Sequence, residues 1–291
     1  MADATLRTLS YHSGRDFVAR DVVRSGRFRP RRRRRRRIEK KTVMAEPSFE
    51  IIPVMPEDHD RIMAFLRRTF FVDEPLNIAL GLLDGQPKCP EDGRPSCKAL
   101  EAHCREALSH NLSLMAVDAM NGNVVGVTLN AEATPEGSED LATEAMLCPD
   151  PKFKRILNLM AHIDRECKVF QRFGVKRLLE MRILSVDGEW RGKGMATALI
   201  RMTLQQAKEL GYPLFRVDCT SAFSAKAMER VGLKKIYTLK YEDYLEEDEG
   251  DKFENGIIDT IMARMKKRKP VFKPAPPHAG VSAFVMEIEG N

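Results

Sequence analysis

Arg182-Ile-Leu-Ser-Val-Asp-Gly-Glu-Trp-Arg-Gly-Lys-Gly-Met-Ala-Thr-Ala-Leu-Ile-Arg201 is the stretch on which the reading of this chain turns. Ile183 to Val186 is a short apolar strand, and Asp187 to Glu189 is a polar turn. From Gly194 to Leu210 the apolar residues recur at helical spacing. A strand, a glycine-bearing loop and a helix in succession aim several unpaired backbone N–H groups at one point, with the helix dipole behind them. Gly192 and Gly194 let the backbone approach a ligand closely, and a pyrophosphate is the natural occupant. The alternative is a purely structural turn with two convenient glycines.

Working outward, the chain alternates strand and helix from Phe49 onward. Phe49 to Val54 reads as a strand and Pro56 to Phe71 as a helix, acidic in its first turn and arginine-bearing near its end. Pro75 to Leu83 is a second short helix, and Ser96 to His110 a third. Ser113 to Val117 and Val124 to Leu129, joined by Asn121-Gly122-Asn123, form a hairpin. Ala131 to Pro151 reads as an acidic connection and Lys152 to Phe173 as one long helix. After the glycine loop come strand Leu214 to Cys219, helix Ser224 to Val231 and strand Leu233 to Tyr244. Glu246 to Lys269 reads as an inserted charged loop with an amphipathic helix, and Val281 to Ile288 as the closing strand. The expected fold is a three-layer α/β/α domain over residues 47–291, built on a central mixed sheet.

Charge is unevenly placed. The 291 residues carry a formal net charge of +6, but residues 1–43 hold fifteen basic side chains against four acidic ones, which leaves −5 on the remainder. A nucleic-acid-binding body is therefore not indicated, and the seven-arginine run Arg31 to Arg37 is the one phosphate-seeking cluster. Residues 1–46 show neither helical nor strand periodicity and read as a disordered tail. Three readings of the tail stay open: a nuclear-import or nucleic-acid patch, an organelle transit segment, or sequence upstream of an internal start at Met44. The six cysteines form no C-x-x-C, so reduced thiols and a cytoplasmic protein are expected. Cys97 and Cys104 read as two surface thiols on one helix, and no metal site is expected. No apolar run has the length of a membrane span.

The glycine loop lacks the G-x-x-x-x-G-K-[ST] spacing of a nucleotide-triphosphate loop, and nothing around it supports a dinucleotide fingerprint. It resembles the acetyl-CoA loop of the GNAT superfamily, Gln/Arg-x-x-Gly-x-Gly/Ala, at Arg191, Gly194 and Ala196. Phe70-Phe71-Val72-Asp73-Glu74-Pro75-Leu76-Asn77, Lys152 to Leu157, Cys219 to Glu229 and Val271 to Gly280 extend the likeness. Together, from about Pro47 to Ile288, they resemble the insect arylalkylamine (dopamine) N-acetyltransferases. The FFxDEPLN string is specific to that family, whereas the loop is shared by the whole superfamily.

The resemblance implies a GNAT-type fold with a splayed sheet. It also implies transfer of an acetyl group from acetyl-CoA to a primary amine such as dopamine, serotonin, tyramine, octopamine or tryptamine, with no metal. Arg191, Gly192, Lys193, Gly194, Met195, Ala196 and Thr197 then anchor the cofactor, and Leu184, Ser185 and Val186 offer backbone donors to the thioester carbonyl. Glu74 matches the general base, and Thr220 and Ser224 match two serines proposed for acid–base roles. Phe70, Phe71 and His278 fall where the amine pocket is lined.

Each assignment has a plainer counterpart: a helix cap for Glu74 or Thr220, solvated charge for Lys193, a structural loop histidine for His278. Of the two acids before Pro75, Asp73 is the expected cap, leaving Glu74 free. Cys219 lacks the adjacent base that a thiol nucleophile requires, so direct transfer in a ternary complex by a monomer is expected. The competing readings are acetylation of a polyamine or a protein lysine, and a non-catalytic CoA-binding protein.

Overall fold

The computed structural model describes residues 9–11, 48–246 and 269–289. α1 (His59–Arg68) follows a 3-10 turn at Pro56–Asp58 and buries Ile62, Met63, Phe65 and Leu66 on one face. The expected single helix from Pro56 to Phe71 breaks at Thr69, whose φ of −124° and ψ of −79° are not helical. Two short helices follow, α2 (Phe70–Asp73) and α3 (Pro75–Leu80), and then α4 (Lys98–Ser109). Each burial of a core leucine, isoleucine or phenylalanine is worth roughly 1.5–3 kcal/mol, so these stripes, more than helix propensity, hold such short helices in place.

The main sheet contains β1 (Leu9–Tyr11), β2 (Phe49–Pro53), β3 (Leu114–Asp118), β4 (Val124–Ala133), β5 (Leu178–Val186), β6 (Leu214–Cys219), β7 (Lys234–Lys240) and β10 (Gly280–Glu287). They lie in the order β1-β2-β3-β4-β5-β6-β10-β7, antiparallel throughout except for β5 against β6. Two further strands, β8 (Leu245–Glu246) and β9 (Lys269–Pro270), pair with each other. β1 was not expected: three residues are too few to show a period, yet they add an edge strand to β2. The amphipathic helix expected within Glu246 to Lys269 lies outside the described residues.

Three further helices differ from expectation. Ala131 to Pro151 is not a plain connection: β4 runs on to Ala133, and Thr134 caps α5 (Pro135–Leu147) by accepting from the Gly137 N–H. Its cap and the Pro at its first position are the signal, diluted in sequence by five acidic residues between Glu132 and Glu144. The helix expected from Lys152 to Phe173 divides at Lys168, which takes a left-handed φ of 47°, into α6 (Pro151–Cys167) and α7 (Val169–Phe173). Cys97 and Cys104 are not surface thiols; both are buried, in the core beneath α1 and α4.

Two features of the sheet position the site. α8 (Met195–Glu209) lies tight on β4, because Gly126 leaves no side chain there; a Cβ would sit 2.8 Å from the Met195 sulfur. α9 (Ala222–Val231) follows β6 and shares a core with it. The second feature is a register shift between β4 and β5 at Leu129/Asn130, which leaves Arg182 as the extra residue on β5. The bulge reverses the side-chain alternation, so Leu179 and Met181 pack with α8 and α9, whereas Ile183 packs with α1 and α4. It also ends the pairing with β6, which covers only Leu179–Met181 against Phe215–Val217. Beyond those three pairs the two strands part.

Candidate active site

The gap between β5 and β6 is flanked by two different kinds of structure. On the β5 side, the chain passes from Val186 through a 3-10 turn at Gly188–Trp190 into the glycine loop and α8. Gly192 and Gly194 have φ of 77° and 82°, a conformation L side chains rarely adopt. A Cβ at either would meet nothing within 4 Å, so it is the backbone conformation that selects glycine, and the space above it is open. Gly194 is also the N-cap of α8 and brings no capping side chain, so the first-turn N–H groups of Met195, Ala196 and Thr197 keep their donor capacity. The Met195 side chain is buried in the core and contributes only its backbone here.

Two cations border this loop. The Arg191 guanidinium donates from Nε to the Val186 carbonyl at 3.1 Å and pairs with Asp73. Lys193 lies with its ammonium 5.2 Å from the Trp190 ring centroid. Of the β5 residues expected to serve the thioester, Ser185 turns its hydroxyl into the protein, to Thr69 at 3.0 Å, and Thr69 in turn donates to the Phe65 carbonyl. This pair pins the break between α1 and α2 to β5. Leu184 and Val186 are half-buried against α8, leaving the unpaired backbone edge of β5 toward the gap.

The opposite side is built from side chains. Glu74 ends α2 and caps α3, accepting from the Asn77 N–H at 2.7 Å through Oε2. The cap is therefore Glu74 and not Asp73, whose carboxylate is exposed and bound to Arg191. Glu74 is only 8% exposed, and its other oxygen, Oε1, is buried without a hydrogen-bond partner. Burial raises its pKa from 4.5 to about 7, against the opposing pull of the Asn77 N–H, the Thr220 hydroxyl and the Leu76 N–H. Thr220 approaches the carboxylate closely enough to exert that pull without completing a bond to Oε1.

Thr220 is not a helix cap. Ser221 caps α9, accepting from the Phe223 N–H at 3.1 Å. Ser224 sits one turn into α9, where its hydroxyl donates to the Ser221 carbonyl at 2.9 Å and lies beside the Cys219 thiol. Among the described residues no hydrogen bond joins Ser224 to Glu74. Cys219 is buried, and desolvation pushes its thiol up to about 12, so a thiolate is not accessible near neutral pH.

The expected lining residues divide. Phe71, 1% exposed, is a core side chain and presents no surface to a ligand. Phe70 is half-buried beside it, ring centroids 6.4 Å apart. His278 accepts from the Ala222 N–H through Nδ1 at 3.2 Å, which puts its proton on Nε2 and ties its loop to the start of α9. Burial lowers its pKa, so it is neutral, and the exposed Phe223 ring meets it edge-on at 5.3 Å. Sequence reasoning missed Tyr241, which is buried, donates to the Thr220 carbonyl at 2.8 Å, and faces Glu74. Its surroundings, Lys240-Tyr-Glu-Asp-Tyr-Leu-Glu-Glu, carry no periodic signal of that placement.

A parallel strand pair that parts above a bare helix N-terminus, inside an otherwise antiparallel sheet, is the decisive geometry. The chain has the GNAT acetyltransferase fold. No protein-family model matches the sequence. Among solved structures, the chain is similar to arylalkylamine N-acetyltransferase 2 from Aedes aegypti, at 28% identity and a TM-score of 0.70, over 83% of this chain and 99% of that one. It is also similar in fold to a Drosophila melanogaster polyamine N-acetyltransferase that forms N-acetylagmatine, at 24% identity and 0.65, over 82% and 100%. A mosquito arylalkylamine N-acetyltransferase-like 5b matches at 20% and 0.67, over 82% and 100%. Among the described residues no His/Cys/Asp/Glu group could hold a metal ion, and no helix is long and apolar enough to cross a membrane.

Proposed function

We propose that this chain transfers the acetyl group of acetyl-CoA to the primary amine of an arylalkylamine, by direct attack within a ternary complex. The observation that carries the reading is Glu74, a buried carboxylate with one unpartnered oxygen, set beside the gap between β5 and β6. A primary amine with a pKa near ~10.4 is almost wholly protonated at pH 7, and making it neutral costs roughly 4–5 kcal/mol. A carboxylate with a pKa of about 7 is half-ionised there, close to the optimum for a general base. Glu74 removes the ammonium proton, the free amine attacks the thioester carbonyl, and the tetrahedral intermediate collapses with cleavage of the C–S bond, releasing CoA as its thiol as the amine's second proton passes to sulfur.

The GNAT-fold glycine loop suits the cofactor. The first-turn N–H groups of α8 and the open space over Gly192 and Gly194 fit a pyrophosphate, with Arg191 and Lys193 adding charge. The free backbone edge of β5 at Leu184 to Val186 suits the carbonyl oxygen as negative charge develops on it. The raised Cys219 thiol supports direct transfer over an acyl-enzyme. The arylalkylamine class rests on the FFxDEPLN string and on the Aedes enzyme at 28% identity.

A second reading, a polyamine or agmatine acceptor, draws on Asp164, Asp218 and Glu180, which gather near Arg216 on the α6 side of the sheet. Arg216 pairs with Asp164 and with Asp218, and Arg182 pairs with Glu180, so these carboxylates are already neutralised. The reading therefore stands second. Steady-state kinetics with acetyl-CoA against tryptamine, tyramine, dopamine, putrescine and agmatine decide between them. The proposal expects kcat/KM for an arylalkylamine at least ten-fold above either aliphatic amine, and the reverse order overturns it.

A further inference from the structure

We propose that Tyr241 is a positioning residue that holds Thr220 against Glu74 and so sets the pH at which the site becomes active. The inference rests on the general-base reading of Glu74 and adds to it a residue that the sequence did not single out.

The geometry is specific. Tyr241 is 3% exposed and lies in the 3-10 turn Tyr241–Asp243 that follows β7. Its backbone N–H donates to the Ala279 carbonyl at 3.1 Å, and its ring packs against Phe272, centroids 5.9 Å apart, which in turn stacks with Tyr244 at 6.0 Å. The phenol is thus fixed at both ends before it donates to the Thr220 carbonyl at 2.8 Å. Thr220 is the first residue past β6, where no strand partner holds it. Its carbonyl bond to Tyr241 supplies the missing anchor. On the same residue the hydroxyl faces Glu74, opposing the effect of burial.

The phenol does not exchange protons itself, since burial and the neighbouring Glu74 and Cys219 push its pKa far up. Of the other ionisable groups around Glu74, burial raises Cys219 and Asp218, Asp218 is also paired with Arg216, and Asp73 turns outward to Arg191. The Lys152 ammonium donates to the Gly81 carbonyl, and His278 is held neutral at α9. Glu74 is left as the group whose titration the rate follows, and a donor hydroxyl held close to its charged form draws that titration to lower pH.

The test is the pH profile of kcat/KM with acetyl-CoA and tryptamine. Tyr241→Phe keeps the ring and removes the donor. The acidic limb is expected to move up by about half a unit, which is a loss of about three-fold at pH 6 and a rate within about two-fold of the parent at pH 9. An unmoved limb, or a uniform drop at every pH, overturns the proposal. Thr220→Val should shift the limb in the same direction, and the double variant should shift no further; additive shifts also overturn it. Failure of the base reading is separable. If Glu74→Gln retains the parent's activity, ¹³C NMR titration of glutamate-labelled protein still reads the Glu74 carboxyl, assigned by its loss in Glu74→Gln. Tyr241→Phe must raise that titration, and an unchanged midpoint sinks the role of Tyr241 on its own.

Discussion

The two walls of the gap differ in what they are made of. The wall after β5 is backbone: the φ angles of Gly192 and Gly194 and the bare N-terminus of α8 shape it, all within one short run of sequence. The wall after α2 is side chains: Glu74, Thr220 and Tyr241 come together from positions up to 167 residues apart, joined by hydrogen bonds. A backbone wall tolerates changes of side chain and is broken by a change of φ. A side-chain wall tolerates changes of φ elsewhere and is broken by the loss of one atom. One contact between them is the ion pair of Asp73 and Arg191.

The sharpest test of this contrast is Glu74→Gln, which changes one atom. It should lower kcat by roughly 10²–10⁴ and leave CoA affinity untouched. Retention of more than about a third of the parent's kcat at neutral pH would show that Glu74 is not the base. The same variant has a second expected effect, on stability. The Glu74 pKa is raised in the folded protein, so the favourable contribution of its neutral form is complete below about pH 4.5 and is lost as pH rises through about 7. Ionisation of the buried carboxyl therefore destabilises the fold at pH 8 by up to about 3 kcal/mol. Glu74→Gln should be more stable than the parent at pH 8 and equal to it at pH 4 in urea titrations. An equal stability at both pH values would contradict the raised pKa.

On the backbone wall, Gly194→Val should weaken CoA binding by about ten-fold or more, because a branched residue cannot hold a φ of 82° cheaply. Calorimetry on the folded variant checks this, and unaltered affinity would remove the loop from the site. The smallest effect is expected at Cys219→Ala, which should keep kcat within about two-fold, since burial holds the thiol protonated near neutral pH. Deleting residues 1–43 should likewise leave kcat/KM within about two-fold, because β1 pairs at the far edge of the sheet, four strands from the gap. A larger loss in a normally folded truncation would bring the tail into the site.

The contrast also explains what the sequence made legible. Strand β5, the glycine loop and α8 could be read in order because each depends on neighbours in the chain. Strand β6 was legible for the same reason. The capping by Glu74 was misassigned to Asp73 because both are acceptors before a proline, and only the arginine 118 residues away decides which one turns outward. Thr220 was open to the same cap reading, and it is its neighbour Ser221 that accepts from the Phe223 N–H and caps α9. The breaks at Thr69 and Lys168 lie inside segments whose apolar spacing continues across them, so periodicity ran through both. Thr69 is held by Ser185, which no local pattern reports.

The three residue pairs between β5 and β6 have a consequence for how the molecule breathes. Apart from that short parallel contact, the sheet is two separate ladders, β1 to β5 and β6 with β10 and β7, each hydrogen-bonded only within itself. Amide protons within the ladders should exchange with solvent deuterium only on large-scale opening. Those of Arg182 to Val186 that point into the gap have no strand to shield them and should exchange far sooner. Occupation by a thioester would then register first as slowed exchange at these few amides, so the seam between the ladders reports ligand before any reaction has occurred.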